Sequence, residues 1–169
     1  YKTPLFRPLF PGIPMPECQI FPPPDQHYRM RAEFRIWHEG DGISYAMFER
    51  GQKAGTASLI RLADFPAASA AINRLMPLLL AELSTDPLLK NRLYQCEFLS
   101  TLSGEMLVSL IYHRKLDDSW KHATLALQEK LGIFIIGRSK GQKLVLAQDF
   151  VTETLTVNGE TFRYRQTEG

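Results

Sequence analysis

Residues 27–38 read His-Tyr-Arg-Met-Arg-Ala-Glu-Phe-Arg-Ile-Trp-His, and this run constrains the fold more than any other. Tyr28, Met30, Ala32, Phe34 and Ile36 fall on one parity, while Arg29, Arg31, Glu33, Arg35 and Trp37 fall on the other. Period two marks a half-buried β-strand, with one face turned to a core and the other to water or a partner. Gly40-Asp41-Gly42 supplies turn residues, so 43–48 reads as the return strand of a hairpin. A Gly/Lys-rich excursion over 50–56 leads to a short third strand around 58–62.

Two further hairpins follow the same logic. The runs 94–101 and 106–113 are joined by Leu102-Ser103-Gly104-Glu105, and 151–157 pairs with 161–165 around Asn158-Gly159, a strong type I′ signal. Helices fall between them. Asp64 can cap the first, with Pro66 in its first turn and Ala67, Ala68, Ala71, Ile72, Leu75, Met76, Leu79 and Leu83 at helical spacing. Pro77 inside that pattern predicts a kink or an early break. Asp117 or Asp118 caps the second, whose apolar stripe is Trp120, Ala123, Leu127 and Leu131, with Gly132 as a stop signal. A buried strand at 133–136, a turn near Lys140-Gly141 and a strand over 143–147 follow. Hairpins dictate antiparallel pairing. The predicted class is α+β, an antiparallel sheet built from hairpins with two main helices packed on one face. The opposite face is left for polar, aromatic and basic groups.

Eight of the eleven prolines lie in residues 1–24. Each removes a backbone donor, so this stretch is neither a helix nor a central strand. Residues 1–26 read as a proline-rich extended arm, and its apolar residues predict packing along some surface. Residues 27–169 read as the globular domain. A length of 169 residues accommodates one core, because domains take roughly 100–200 residues each. A two-domain enzyme would need about twice that length, and the start at Tyr1 rather than Met suggests a piece of something longer.

Twenty basic residues against eighteen acidic ones give a formal charge of +2. That is too small for binding RNA or a membrane by overall field, so an anionic partner must be met by a local patch. Two cysteines, Cys18 and Cys96, are too few for a disulfide framework and fit free thiols in a reducing, cytoplasmic setting. The apolar stretch 76–81 is far shorter than the ~18–20 residues of a membrane span, and nothing resembles a signal peptide. The reading is of a soluble protein with no membrane partner.

Signs of a reaction centre are sparse. Gly40-Asp41-Gly42 lacks a third glycine and precedes a strand, so it reads as a turn and not as a nucleotide-binding loop. Residues 139–143 fail the spacing of a phosphate-binding loop for the same reason. His27, His38, His113 and His122 form no ligand-spaced pair, which argues against a metal site. Asp117 and Asp118 could act as paired carboxylates, but capping explains them at a helix start. The fragment's own sequence therefore implies no catalytic residue, cofactor or metal.

The polar parity of 27–38 is the feature that stands out. Arginine forks pair with phosphates, and aromatic faces support unpaired bases, a combination suited to single-stranded or folded RNA. The other reading is a solvated sheet face with Glu33 bridging two arginines. His113, Arg114 and Lys115 form a second basic group at a strand end, near Lys90, Arg92 and Tyr94; they read as an RNA-facing edge or as gatekeeping charge.

Taken with Phe65-Pro66-Ala67-Ala68-Ser69, Ile72-Asn73, residues 99–103, Tyr112-His113-Arg114-Lys115-Leu116-Asp117-Asp118 and Tyr164-Arg165-Gln166, the run 27–38 closely resembles a known family. It is the N-terminal region of bacterial tRNA (uracil-5-)-methyltransferases of the TrmA type, which make 5-methyluridine in the T-loop at tRNA position 54. The resemblance runs from His27 to about Glu168; the arm matches poorly. It implies that a Rossmann-like catalytic domain binding S-adenosylmethionine lies beyond residue 169, where a cysteine attacks C6 of uracil and the methyl group goes to C5. The family's Asp-Pro-Pro-Arg and Ser-Cys-Asn motifs have no counterpart in these residues. The chain is then expected to be the part that grips the tRNA T-arm, inactive alone, with that catalytic domain as its other partner. By position, the resemblance implies that Arg31 and Arg35 contact the RNA backbone, and that His113 and the aromatic at Tyr94, often phenylalanine in the family, stack on displaced bases. Arg29, Trp37, Arg114 and Lys115 complete the expected RNA-binding set. The alternatives are a stand-alone, non-catalytic protein-interaction module whose arm docks a partner, and an enzyme complete in itself.

Overall fold

A computed structural model describes Gly12, residues 19–22 and residues 24–168. Most of the proline-rich arm, Cys18 included, lies outside the described residues, as does Gly169. The chain runs β1 (Arg31–Glu39), β2 (Gly42–Phe48), a 3₁₀ turn, β3 (Leu59–Leu62), α1 (Ala70–Thr85), α2 (Pro87–Lys90), β4 (Leu93–Ser100), β5 (Met106–Tyr112), α3 (Asp118–Leu131), β6 (Phe134–Ser139), β7 (Gln142–Val145), β8 (Phe150–Val157) and β9 (Glu160–Thr167). Seven strands form one sheet in the order β3-β2-β1-β4-β5-β6-β7, while β8 and β9 form a separate ribbon. The class is α+β, as the hairpins required.

Parity sorts β1 as its sequence demands. Ala32, Phe34 and Ile36 are buried, Arg31 and Glu33 exposed, Arg35 and Trp37 half-buried. Phe34 sits at the centre of the core, edge-on to Phe65 and Tyr45 at centroid distances of 5.4 and 5.7 Å. Helices α1 and α3 close this face with Ile72, Met76, Leu79 and Leu83 from one and Trp120 and Leu127 from the other. Burial of such side chains is worth about 1.5–3 kcal/mol each, which is what fixes β1's register.

Five features differ from the sequence expectations. First, β1 starts at Arg31, not His27. Residues 27–29 are instead sewn to the loop before α1, through His27 N to Pro66 O (2.8 Å), Arg29 N to Ala67 O (2.9 Å) and Ser69 N to Arg29 O (2.7 Å). Tyr28, expected on the core parity, is accordingly 44% exposed. Second, α1 is capped by Ser69, whose hydroxyl accepts from Ile72 N, and not by Asp64. The Asn73 side chain accepts from Phe65 N and donates to the Phe65 and Ala68 carbonyls, which holds 65–69 as a loop.

Third, Pro77 neither ends nor divides α1. An interior proline costs about 3 kcal/mol, and the apolar side chains that α1 buries on both sides of Pro77 offset it. Fourth, β6 pairs with β5 in parallel, Leu107 opposite Phe134 and Ser109 opposite Ile136. Helix α3 makes the crossover that a parallel neighbour needs. Fifth, the face opposite the helices is not wholly open. Val151 at the base of the ribbon packs there on Leu99, Leu107 and Ile136.

The remaining local signals are realised. Asp117 caps α3, accepting from Trp120 N at 2.9 Å, and Gly132 ends it with a φ of 62°. Asn158 and Gly159 both take positive φ, 51° and 84°, as a type I′ turn requires. No helix among the described residues is long and apolar enough to cross a membrane.

Candidate nucleic-acid interface

Three of the eight residues singled out from sequence converge on the face opposite the helices. The Arg35 guanidinium carbon lies 3.8 Å from the centroid of the Tyr94 ring. The His113 ring stacks on Tyr94 with centroids 3.8 Å apart and planes inclined by 25°. Two groups cannot both sit 3.8 Å above one face of a ring, so they cover its opposite faces. The result is an Arg–Tyr–His column spanning β1, β4 and the end of β5.

The column depends on a local irregularity. Leu93 faces Tyr112 and Gln95 faces Ile111, which leaves Tyr94 as the extra residue of a β-bulge. Bulges re-aim a side chain without breaking a sheet. Arg92, at φ 56°, precedes it, and the Arg92 carbonyl accepts from His113 N at 3.0 Å, which holds the two chain segments level. Arg35 arrives at this height because it faces Gln95 on β4.

Clefts flank the column. Arg35 and Tyr94 line one of about 470 Å³, together with Trp37, Phe48, Ala54 and Gly55. Trp37 is braced edge-on by Phe48 at 6.2 Å between centroids. On the other side His113, Arg114 and Lys115 line a cleft of about 450 Å³ with Lys140 and Gln142.

Not every predicted residue joins this arrangement. Arg29 lies ahead of β1, its guanidinium 6.0 Å from the Tyr28 ring. Arg31 turns to the end of β9, donating to the Thr167 carbonyl at 2.7 Å and to that of Glu168. Arg114 is spent on the backbone, donating to Asn91 O at 3.0 Å, Leu88 O at 2.8 Å and Lys115 O at 3.2 Å. Lys115 remains exposed on the cleft rim. Glu33 makes none of the ion pairs found among the described residues, so the carboxylate bridge between arginines is not formed.

Sequence reasoning missed two groups. Phe48 braces Trp37 from across the sheet, a contact that only the β1–β2 pairing brings about. Glu168, 6% exposed, accepts from Arg138 at 2.8 Å, Lys143 at 2.6 Å and Ser109 at 3.3 Å. Lys143 is pushed above the ordinary lysine value by its bond to Asp149 first and to Glu168 second. Together with Arg31, these groups tie the end of β9 to the sheet.

Among the described residues, neither the cysteine nor the glycine turns carry reactive or cofactor-binding chemistry. Cys96 is fully buried, and burial followed by the nearby Glu97 charge drives its thiol far above the usual range, the opposite of an activated nucleophile. No group of three His, Cys, Asp or Glu side chains there could hold a metal. The glycine turns at 40–42 and at Gly141 join strand to strand, so neither offers a helix N-terminus to a nucleotide cofactor.

Fold and face together define the class: a two-layer α+β domain whose outer sheet face, partly covered by the ribbon, carries its distinctive side chains. Comparison with known proteins then gives the family. The model of the tRNA (Uracil-5-)-methyltransferase family matches residues 2–169, and the chain belongs to that family. The tRNA/tmRNA (uracil-C(5))-methyltransferase of Neisseria meningitidis serogroup A is 62% identical over 161 residues, which is 95% of this chain and 44% of that protein. The serogroup B protein is 60% identical over 168 residues, 99% of this chain and 46% of its own length. That of Acinetobacter baylyi is 54% identical over 153 residues, 90% and 42% respectively. The chain thus spans less than half the length of these relatives.

Proposed function

We propose that this chain is the tRNA-recognition part of an S-adenosylmethionine-dependent tRNA uracil-5-methyltransferase of the cytoplasm, and that it grips the T-arm so that uridine 54 can be methylated at C5. The observation that carries the reading is the Arg35–Tyr94–His113 column. A base modified at its C5 edge must leave its stack, at a cost of a few kcal/mol. A column of π-faces and a guanidinium offers displaced loop bases a substitute stack, and the guanidinium adds a fork for phosphate.

The geometry divides the labour. Both faces of Tyr94 are covered, so it acts as the spacer that props Arg35 and His113, and the free face of exposed His113 receives a base. Lys115 and Lys140, at the rim of the second cleft, supply charge for the flanking backbone. Methyl transfer is assigned to the remainder of the protein, since the glycine turns and Cys96 of these residues do not suit the cofactor or the nucleophile. Residues 1–26 are assigned as an arm and 27–169 as the RNA-binding domain. The name of the relatives extends the candidate substrates to tmRNA.

Binding of a T-arm RNA hairpin, followed by fluorescence anisotropy, tests the assignment. Alanine at Arg35 or at His113 is expected to weaken binding roughly 5- to 150-fold, the range of one lost base stack at ~1–3 kcal/mol. Unchanged affinity in both variants, or no binding by the unaltered chain, rejects it.

A further inference from the structure

The cleft beside the column has a composition that the column alone does not explain. Trp37 and Phe48 form one wall, the indole held at a fixed tilt by the edge-on phenyl ring. The Arg35 guanidinium, packed on Tyr94, lines the cleft as well. Ala54 and Gly55 contribute the rim from the excursion between β2 and β3. Arg50 and Lys53, both exposed, flank that rim in sequence. About 470 Å³ lies within the range of small-ligand sites, about 300–1,000 Å³.

We propose that this cleft is a second RNA subsite, which takes one unpaired nucleobase stacked on the Trp37 indole, with its adjoining phosphates met by the cationic excursion at 50–56. The inference rests on the RNA-recognition reading of the same face and adds a second base to it. Three features point to a base and not to an apolar side chain of a protein. The cleft offers an indole face, a stacking platform that serves any base. A guanidinium stands beside it, favouring a π-system with polar edges. The flanking residues of the rim are cations, which complement a phosphodiester. The walls carry stacking surfaces, so the subsite selects for an unpaired base and not for its identity.

The two tryptophans make the test direct. Trp120 is fully buried among the helices and Trp37 is half-buried on the outer face, so a Trp120→Phe background reports Trp37 emission alone. Two probes are titrated: the T-arm hairpin and a short unstructured RNA oligonucleotide. Both are expected to quench Trp37. Trp37→Ala is expected to weaken binding of each roughly 5- to 150-fold, and Trp37→Phe to restore most of it. If Trp120→Phe fails to fold, 2-aminopurine in the oligonucleotide replaces the tryptophan signal in the unaltered chain, and its stacking quench must vanish in Trp37→Ala. Hairpin binding that leaves Trp37 emission unchanged and tolerates Trp37→Ala overturns the subsite while the column stands. Quenching by the oligonucleotide without hairpin binding supports the subsite and rejects T-arm recognition. If neither probe binds, both fall.

Discussion

Tyr94 shows how far one residue can set a surface. Its position comes from a single unpaired residue in β4, and without that bulge its ring would not lie between β1 and the end of β5. Parity alone places Arg35 and Trp37 on the outer face, so that part was legible. The partners of Arg31 and Arg114 were not, because their acceptors are backbone carbonyls of Thr167, Glu168, Asn91 and Leu88, brought near only by tertiary folding. Gly137 is a second case. A Cβ there would lie 2.2 Å from the Trp120 ring and 2.8 Å from Leu116, both in the core. Its φ is not the issue; the indole occupies the space a side chain would need. Gly137→Ala should lower unfolding stability by about 1–3 kcal/mol, the usual cost of overpacking. Denaturant titration with Trp120 fluorescence measures this, and a variant as stable as the parent would mean that the indole shifts freely.

At the level of elements, the resemblance motifs at 65–73 and 99–103 turn out to be stitching, whereas those at 27–38 and 112–118 supply Arg35 and His113 to the column. Ser69 and Ser100 meet through their hydroxyls at 2.8 Å, and Asn73 holds the 65–69 loop. Thr101 and Ser103 organise the β4–β5 turn against the ribbon. Such residues make the fold recognisable in sequence without touching the outer column. The helix start was misread for the same reason: Asp64 and Pro66 are good local signals, but the bonds of Asn73 and of residues 27–29 claim that loop. Glu153 docks the ribbon. It is 2% exposed and accepts from Leu102 N at 2.7 Å, Ser103 N at 3.1 Å and Thr154 N at 3.0 Å. Burial raises its pKa, yet the three backbone donors outweigh burial and hold it below the ordinary glutamate value. A depressed folded-state pKa gives stability that is fully present above the unfolded value, about 4.3, and is lost as pH falls through the folded one. Glu153→Gln should therefore be less stable than the parent at pH 7, with the gap closing on acidification below about pH 4. Hydrogen exchange at the Leu102 and Ser103 amides should rise in parallel. A gap independent of pH would assign the stabilisation to shape alone.

For the molecule as a whole, a formal charge of +2 and an outer face with a stacked column imply that the proposed RNA affinity would come from a few local contacts and not from a broad field. The antiparallel hairpins were legible because each lies within a short stretch of chain. The parallel β5–β6 pair and the ribbon's seat on the sheet were not, since they join segments separated by a helix or by some fifty residues, as Glu153 and Leu102 are. The distinction between charge and stacking can be measured. About three phosphate contacts would give a log–log salt slope of roughly −2 to −3 and a loss of about 10- to 50-fold in T-arm affinity between 50 and 200 mM salt, far below the ~10³–10⁵ of a surface with many such contacts. Lys115→Ala should reduce the slope by about one contact. Tyr94→Ala should lower affinity at every salt concentration and reduce the slope by no more than the one contact of Arg35, because the ring carries no charge itself and acts by holding Arg35 and His113 in line. Tyr94→Phe keeps that spacer and should bind as the parent does. A slope that steepens to the many-contact range, or one that changes with Tyr94→Phe, would mean that the phosphate backbone is read over a much larger surface than the column and its two clefts.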